Sequence, residues 1–284
     1  MHDRNYPKIS IVTPSYNQGE FLERTILSVL DQGYPNLEYI IIDGQSSDQS
    51  VEIIKKYEKH LAYWVSEEDR GQSHAINKGF GHASGELFGW LNSDDWYSSG
   101  ALQAVAEAAR LNPSASVIVG AGDMVDEEGN LVRYVKPDAI TRESLYGWLH
   151  SYFWQPSCFF SKDAWIQCGP LDEELQYAMD LDLWLKIAKR FPFLTIDRNL
   201  STSLKHPRAK TTASNYLSVM EAALVIASHG GNKTVSADLK RYADYLDEKE
   251  RAYTLRLAHM EQSASWRITA PLRFLRAKMA GLLQ

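Results

Sequence analysis

The sequence predicts an α/β protein: a mostly parallel twisted sheet flanked by helices, followed by a helical C-terminal extension. Three observations carry this. Short β-branched or apolar runs alternate with segments of helical periodicity through the first half, the pattern of βαβ crossovers. One of those runs, "LEYIIIDG", is apolar throughout, as a strand buried on both faces should be. From residue 229 the chain holds "ADLKRYADYLDEKERAYTLRLAHMEQ", a long helical candidate with no internal breaker.

"KISIVTPSYN" is a β-branched strand that stops at Pro14 and Asn17. "GEFLERTILSVLDQG" places Phe21, Leu22, Ile26, Val29 and Leu30 at helical spacing and closes with Gly33. After the "LEYIIIDG" strand, "SDQSVEIIKKYEKH" reads as a helix capped by Ser47 or Asp48. "LAYWVSE" is strand-like, "GQSHAINKGFGHA" helix-like, and "GELFGWLNSDD" a strand running into two acids. "SGALQAVAEAARLNP" is an Ala-rich helix stopped by Pro113, and "ASVIVGAGD" another buried strand. The middle is less regular: an aromatic stretch "LYGWLHSYFWQPSCFF", a helical "DLDLWLKIAKRF" and a strand-like "FLTIDRNLSTSLKH". A helix near Thr212 to Ser228 precedes "HGGNKTVS", which reads as a linker. In parallel sheets ligands bind beyond the carboxyl ends of the strands. The polar clusters after successive strands, at Asn17, Asp43, Glu67 to Arg70 and Asn92 to Asp95, are therefore expected to line one crevice.

At 284 residues the chain is long enough for one large domain or two smaller ones. The 44% apolar and 23% charged residues give it a packed core rather than disorder. A net charge of -6 argues against a nucleic-acid partner. Eight Trp suit stacking on sugars or bases, and equally a large core. Cys158 and Cys168 read as small buried thiols in a reducing compartment. The polar opening "MHDRNYPKIS" has no signal-peptide pattern, and no apolar run approaches the ~20 residues that span a bilayer. The expectation is a cytoplasmic protein, or one peripheral on the inner face of the cell membrane.

"WLNSDDWY" sets Asp94 beside Asp95 among large apolar residues. Adjacent like charges are costly unless a positive partner lies near. A divalent cation on a diphosphate is one such partner, and Mg²⁺ or Mn²⁺ takes hard oxygen ligands from one or two carboxylates. Capping of the following helix is the plainer reading.

The set "SIVTPSYNQGEFLERTILSVLDQ", "YIIIDGQSSDQS", "EEDRGQSHAINKGF", "GELFGWLNSDDWY" and "DLDLWLKIAKR" resembles the inverting family 2 glycosyltransferases, from about Lys8 to Thr212. The resemblance implies the GT-A fold and transfer of a sugar from a nucleoside-diphosphate sugar, UDP-linked, to a saccharide or lipid-linked saccharide in cell-surface polysaccharide synthesis. It implies a nucleotide-sugar half over residues 1–125, an acceptor half over 126–228 and an extension over 229–284. The family's Asp-x-Asp motif is altered here: Asn92 replaces the first Asp, Asp94 matches the second, and Asp95 follows. The resemblance makes Asp94, Asp95 and His206 the ligands of Mn²⁺ or Mg²⁺. Aligned on "DLWL", Asp180 falls on the general base, preceded by Met179 where Glu is common. Asp182 falls on a helix-start partner near the acceptor, or is an N-cap. Thr13, Pro14, Ser15, Tyr16 and Asp43 match nucleoside positions, with Gly44 where a second Asp is frequent. Arg70, Lys78 and Lys210 match the region reaching the base or diphosphate, and Asn92, Ser93 and Asp94 the donor floor. His74 stands where relatives with "DRGQS" continue with Asp, and "LKHPRAKT" carries Arg208 where small residues are usual.

Trp154, with Tyr152 and Phe153, is expected either to stack on acceptor sugars or to fill the core. The tail "SWRITAPLRFLRAKMAGLL" carries Arg267, Arg273, Arg276 and Lys278 and no acid. It suits an anionic membrane surface, and equally packing against another copy in a homo-oligomer. Two rivals remain. A nucleotidyltransferase would want a basic Gly-rich loop after the first strand, but "TPSYNQGEF" has no Lys or Arg before Arg24. A non-catalytic carbohydrate-binding scaffold would fit Asn92 and Gly44, but less well the retained Asp94, Asp95 and Asp180.

Overall fold

The computed structural model describes residues 6–148, 153–210 and 215–269. Its sheet begins with four parallel strands in the order β3-β2-β1-β4: β1 (Ile9–Ser15), β2 (Leu37–Asp43), β3 (Tyr63–Ser66) and β4 (Leu87–Trp90). All of β1 and β4 is buried, which is why these runs carry almost no alternation. Side chains alternate across the sheet. Ile9, Ile11, Tyr39 and Ile41 pack on α1 (Gly19–Leu30) through Leu22, Ile26 and Val29. Val12, Ile40 and Ile42 pack on α3 (Gln72–His82) through Ala75, Ile76 and Phe80. Gly79 is required at that second contact, because any Cβ there would overlap the Val12 side chain. The helix between β2 and β3, α2 (Ser50–Tyr57), starts later than expected. Asp48 lies two residues ahead of it, accepting the Ser50 N–H at 2.9 Å and the Gly19 N–H at 2.8 Å, so it ties α2 to α1.

Beyond β4 the sheet is mixed. Its path continues β8-β6-β9-β5, through β5 (Asp95–Tyr97), β6 (Val117–Val125), β8 (Cys158–Ser161) and β9 (Phe193–Leu204), with β7 (Leu131–Val135) on β6. β8 is antiparallel to both β4 and β6, β9 is parallel to β6, and β5 is antiparallel to β9. Thus the expected single strand into the acids is two strands. The chain leaves β4 after Trp90, turns through Asn92 to Asp94, and rejoins the sheet at its other end. Thr25 holds that turn: its hydroxyl lies 2.9 Å from the Ser93 carbonyl and 2.7 Å from the Asp95 carbonyl.

The remaining helices are α4 (Ala101–Leu111), α5 (Arg142–Tyr146), α6 (Lys162–Cys168), α7 (Met179–Ala188), α8 (Asn215–Ser228), α9 (Asn232–Gln262) and α10 (Ala264–Ile268). α7 is buried along most of its length. Trp184 stacks on Trp90 with ring centroids 5.3 Å apart and planes within 4°, a pairing worth about 0.5–1.5 kcal/mol beyond its area. That stack fixes the end of β4 against α7. The expected linker "HGGNKTVS" is only a turn, since α9 starts at Asn232. The chain divides into two compact units between Val235 and Ser236, within α9. The second unit is the rest of α9 followed by α10, with Leu246, Tyr253, Leu255 and Leu257 exposed. The tail beyond residue 269 lies outside the described residues, as does Tyr152.

Candidate active site

A cavity of about 970 Å³ opens at the carboxyl ends of the parallel strands. The loop after β1 supplies Pro14, Ser15 and Tyr16 to one wall. The Ser15 hydroxyl and the Gln18 side-chain oxygen Oε1 are buried without a hydrogen-bond partner. Gly44 and Asp69 lie side by side on the same wall. A Cβ at Gly44 would come within 2.6 Å of Asp69 Oδ2, so the Asp69 carboxylate fills the room that a side chain at position 44 would take.

Several residues carried over for the donor lie elsewhere. Thr13 is buried, its hydroxyl 3.1 Å from the Tyr39 hydroxyl. Asp43 is fully buried. Its oxygens accept from the Ser46 N–H at 2.9 Å, the Ser46 hydroxyl at 2.6 Å and the Ser66 hydroxyl at 2.7 Å. Arg70 reaches outward to Glu173 at 2.6 Å, and Lys78 pairs with Glu67 at 2.7 Å. His74 accepts the Arg70 N–H at 3.3 Å. None of these five lines the cavity. α3 presents Gln72 and Ala75 there, three residues apart on one face of the helix, and His74 does not share that face.

The floor is the Asn92–Asp95 turn. Gln72 Nε2 donates to Asn92 Oδ1 at 2.8 Å, and Asn92 Nδ2 donates to Asp95 Oδ2 at 3.3 Å. Asp95 is 5% exposed, and burial followed by repulsion from Asp94 pushes its carboxyl well above the usual range. Two groups answer the pair of acids. His206 Nε2 lies 3.1 Å from Asp94 Oδ2. Arg24 has its guanidinium carbon 3.4 Å from the centroid of the Trp96 ring; burial lowers its pKa, and the charges of Asp95 and Asp94 oppose that lowering.

Among the described residues, no cluster of three or more His, Cys, Asp or Glu side chains is arranged to hold a metal. The expected set of Asp94, Asp95 and His206 is therefore not assembled: Asp95 is drawn into hydrogen bonds with Asn92 and Ser203. What remains is Asp94, partly exposed on the cavity wall, with the buried His206 imidazole beside it. Asp94 offers the kind of hard carboxylate oxygen that Mn²⁺ and Mg²⁺ take, with the His206 imidazole beside it.

At the other end of the cavity Asp180 is the second residue of α7. Its Oδ1 accepts the Leu181 N–H at 2.7 Å. Trp90, Phe153 and Met179 line the same cavity. Burial raises the Asp180 carboxyl to about 6, against the lowering effect of hydrogen bonds from backbone N–H groups and of the Lys210 charge. Lys210 lies 3.4 Å from Gln72 Oε1 and 5.6 Å from the centroid of the Tyr177 ring, and burial lowers its pKa. Asp182 does not line the cavity. Ala178 occupies the N-cap position of α7, and Asp182 instead pairs with Lys186 at 2.6 Å and His229 at 2.8 Å. Trp154 is buried at the cavity edge, flat against Gly122, where any Cβ would overlap its indole. Its Nε1 is buried without a partner.

The family model "Glycosyl transferase family 2" matches residues 10–168. The chain is 30% identical over 223 residues to an uncharacterized glycosyltransferase of Rickettsia typhi, covering 76% of this chain and 70% of that one. Other Rickettsia relatives are longer, and the chain spans 32% of their length. Over 141 residues it is 33% identical to the putative teichuronic acid biosynthesis glycosyltransferase TuaG of Bacillus subtilis, covering 48% of this chain and 55% of that one. Its fold is that of S. aureus TarS residues 1–349, solved in complex with UDP-GlcNAc (TM-score 0.64, 20% identity, 78% of this chain and 66% of that one). It also matches the mannosyltransferase PcManGT of Pyrobaculum calidifontis, solved with GDP-Man and Mn²⁺ (TM-score 0.56, 17% identity, 93% and 83%).

Proposed function

The chain belongs to glycosyl transferase family 2 and is a glycosyltransferase; on that premise we propose that it transfers a sugar from a UDP-sugar, with inversion, to a saccharide or lipid-linked saccharide in cell-surface polysaccharide synthesis. The observation that carries this reading is one cavity with two differently treated acids: Asp94 at its floor beside His206, and Asp180 under an aromatic wall.

Asp180, raised to about 6, is largely ionised at neutral pH yet basic enough to take a proton. It accepts the proton of the acceptor hydroxyl while that oxygen bonds the anomeric carbon. The bond from carbon to the diphosphate oxygen breaks, and UDP leaves with the electron pair. Lys210 offers the departing diphosphate a cation from the rim. Asp94 and His206 would hold Mn²⁺ or Mg²⁺, which when bound neutralises the growing charge on the diphosphate. Tyr16 and Asp69 face the nucleoside, Asp69 taking the part that the resemblance gave to Asp43. Trp154 offers a buried indole N–H to the acceptor side.

Support for the donor comes from the TarS complex with UDP-GlcNAc, for the metal from the PcManGT complex with Mn²⁺, and for the setting from TuaG. Among the described residues no helix is long and apolar enough to cross a membrane. The proposal places the enzyme in the cytoplasm, or peripheral on the inner face of the cell membrane. Thermal unfolding with UDP-, GDP- and dTDP-sugars, with and without Mn²⁺, tests the donor. A UDP-sugar should raise the midpoint most, and more so with Mn²⁺. A shift with GDP- or dTDP-sugars alone would overturn the UDP assignment.

A further inference from the structure

The approach to α7 is held from outside by a residue that no motif marks. Glu221, on α8, accepts the Gln176 N–H on Oε1 at 2.9 Å. Its Oε2 accepts the Tyr177 N–H at 2.5 Å and the Ala178 N–H at 2.7 Å. Three successive backbone donors on one carboxylate form an anion-binding concavity at the positive end of a helix. Ala178 itself offers α7 no side-chain cap. Asp180 lies two residues further along, and Gln176, Tyr177, Met179 and Asp180 all line the cavity.

We propose that Glu221 is the positioning residue of this site: by gathering the three N–H groups that lead into α7, it sets where Asp180 meets the acceptor hydroxyl. The inference rests on the proposed role of Asp180 as base and extends it to a residue outside the cavity. It also gives Glu221 an electrostatic effect. Its fixed negative charge disfavours the ionised form of Asp180 and favours the charged form of Lys210. The other groups facing Asp180 are Lys210, from the segment after β9, and the Cys158 thiol of β8, which burial and the Asp180 charge push upward. Asp182, on the same helix, is turned to Lys186 and His229.

Glu221→Gln keeps the shape but removes the charge, and its single carbonyl oxygen replaces two carboxylate oxygens as acceptor. The test is a ¹³C NMR titration of the Asp carboxyl carbons in the full chain without substrate, with the Asp180 signal assigned through Asp180→Asn. In Glu221→Gln the Asp180 titration should move to lower pH, because the repelling charge is gone. Sugar transfer should fall about tenfold or more as the base loses its alignment. A purely structural Glu221 would lower the unfolding midpoint and leave the Asp180 titration in place, and that result overturns the inference. Should Glu221→Gln fail to fold, Glu221→Asp decides. Its shorter arm keeps the charge but withdraws from the three N–H groups, so kcat should fall with the Asp180 titration near its wild-type position, and a full kcat overturns the inference. A wild-type chain that transfers no sugar would sink the proposed function alone, since the titration needs no substrate.

Discussion

The two acidic regions of the cavity treat the same side chain in opposite ways. At the Asn92–Asp95 turn, Asp94 is answered by positively chargeable groups: His206 at 3.1 Å, and Arg24 behind both aspartates. At the start of α7, Asp180 is buried in the wall of a cavity that Trp90, Phe153 and Met179 also line, with Lys210 as the nearby cation. Balanced charge suits a site that manages the charge of a leaving group. A dry wall suits a site that manages a proton. Residue type alone does not assign these roles; the neighbours do.

The comparison breaks most sharply at Asp180. Asp180→Asn removes the proton acceptor and should lower kcat by about 10²–10⁴-fold, while UDP binding by calorimetry stays near wild type. Loss of nucleotide binding instead would move Asp180 to the donor side of the ledger. At the floor, Asp94→Asn should cost transfer about a hundredfold and abolish the extra thermal shift that Mn²⁺ gives with a UDP-sugar. An unchanged Mn²⁺ response would show that the turn does not serve the metal. The mildest probe is pH. With its pKa raised to about 6, Asp180 is increasingly protonated as pH falls below that value, and a protonated carboxyl cannot accept. The transfer rate should therefore drop about tenfold per pH unit below the midpoint. A rate that stays flat to pH 4.5 would mean a base with an ordinary carboxylate pKa.

The parallel half of the sheet was legible because burial on both faces leaves an apolar run, as in Tyr39–Ile42. α1 was legible through its buried positions Leu22, Ile26 and Val29. Motif order brought Asp94, Asp180 and Lys210 to one cavity. What escaped was long-range pairing of polar side chains. Nothing in "EEDRGQS" says that Arg70 turns to Glu173 or that Lys78 turns back to Glu67. Asp43 looked like a ligand residue because it ends a strand, but the nearby Ser46 and Ser66 claim its oxygens. Asp69 fell within the polar cluster Glu67 to Arg70, but nothing local set it apart from Arg70: the missing side chain at Gly44 makes room for it. Glu221 had no local signal at all, since its three partners lie 43 to 45 residues earlier in the chain.

The detour between β4 and β5 has a consequence for biogenesis. Asp95–Tyr97 pair with Ser201–Ser203, and His206 follows two residues after the end of that strand. A nascent polypeptide that has emerged only as far as β8 holds its four parallel strands and the Thr25 contact to Asp95, but not the strand that Asp95–Tyr97 pair with. The strand pairing and the His206 contact of the Asn92–Asp95 turn thus form only after β9 and the segment following it have left the ribosome.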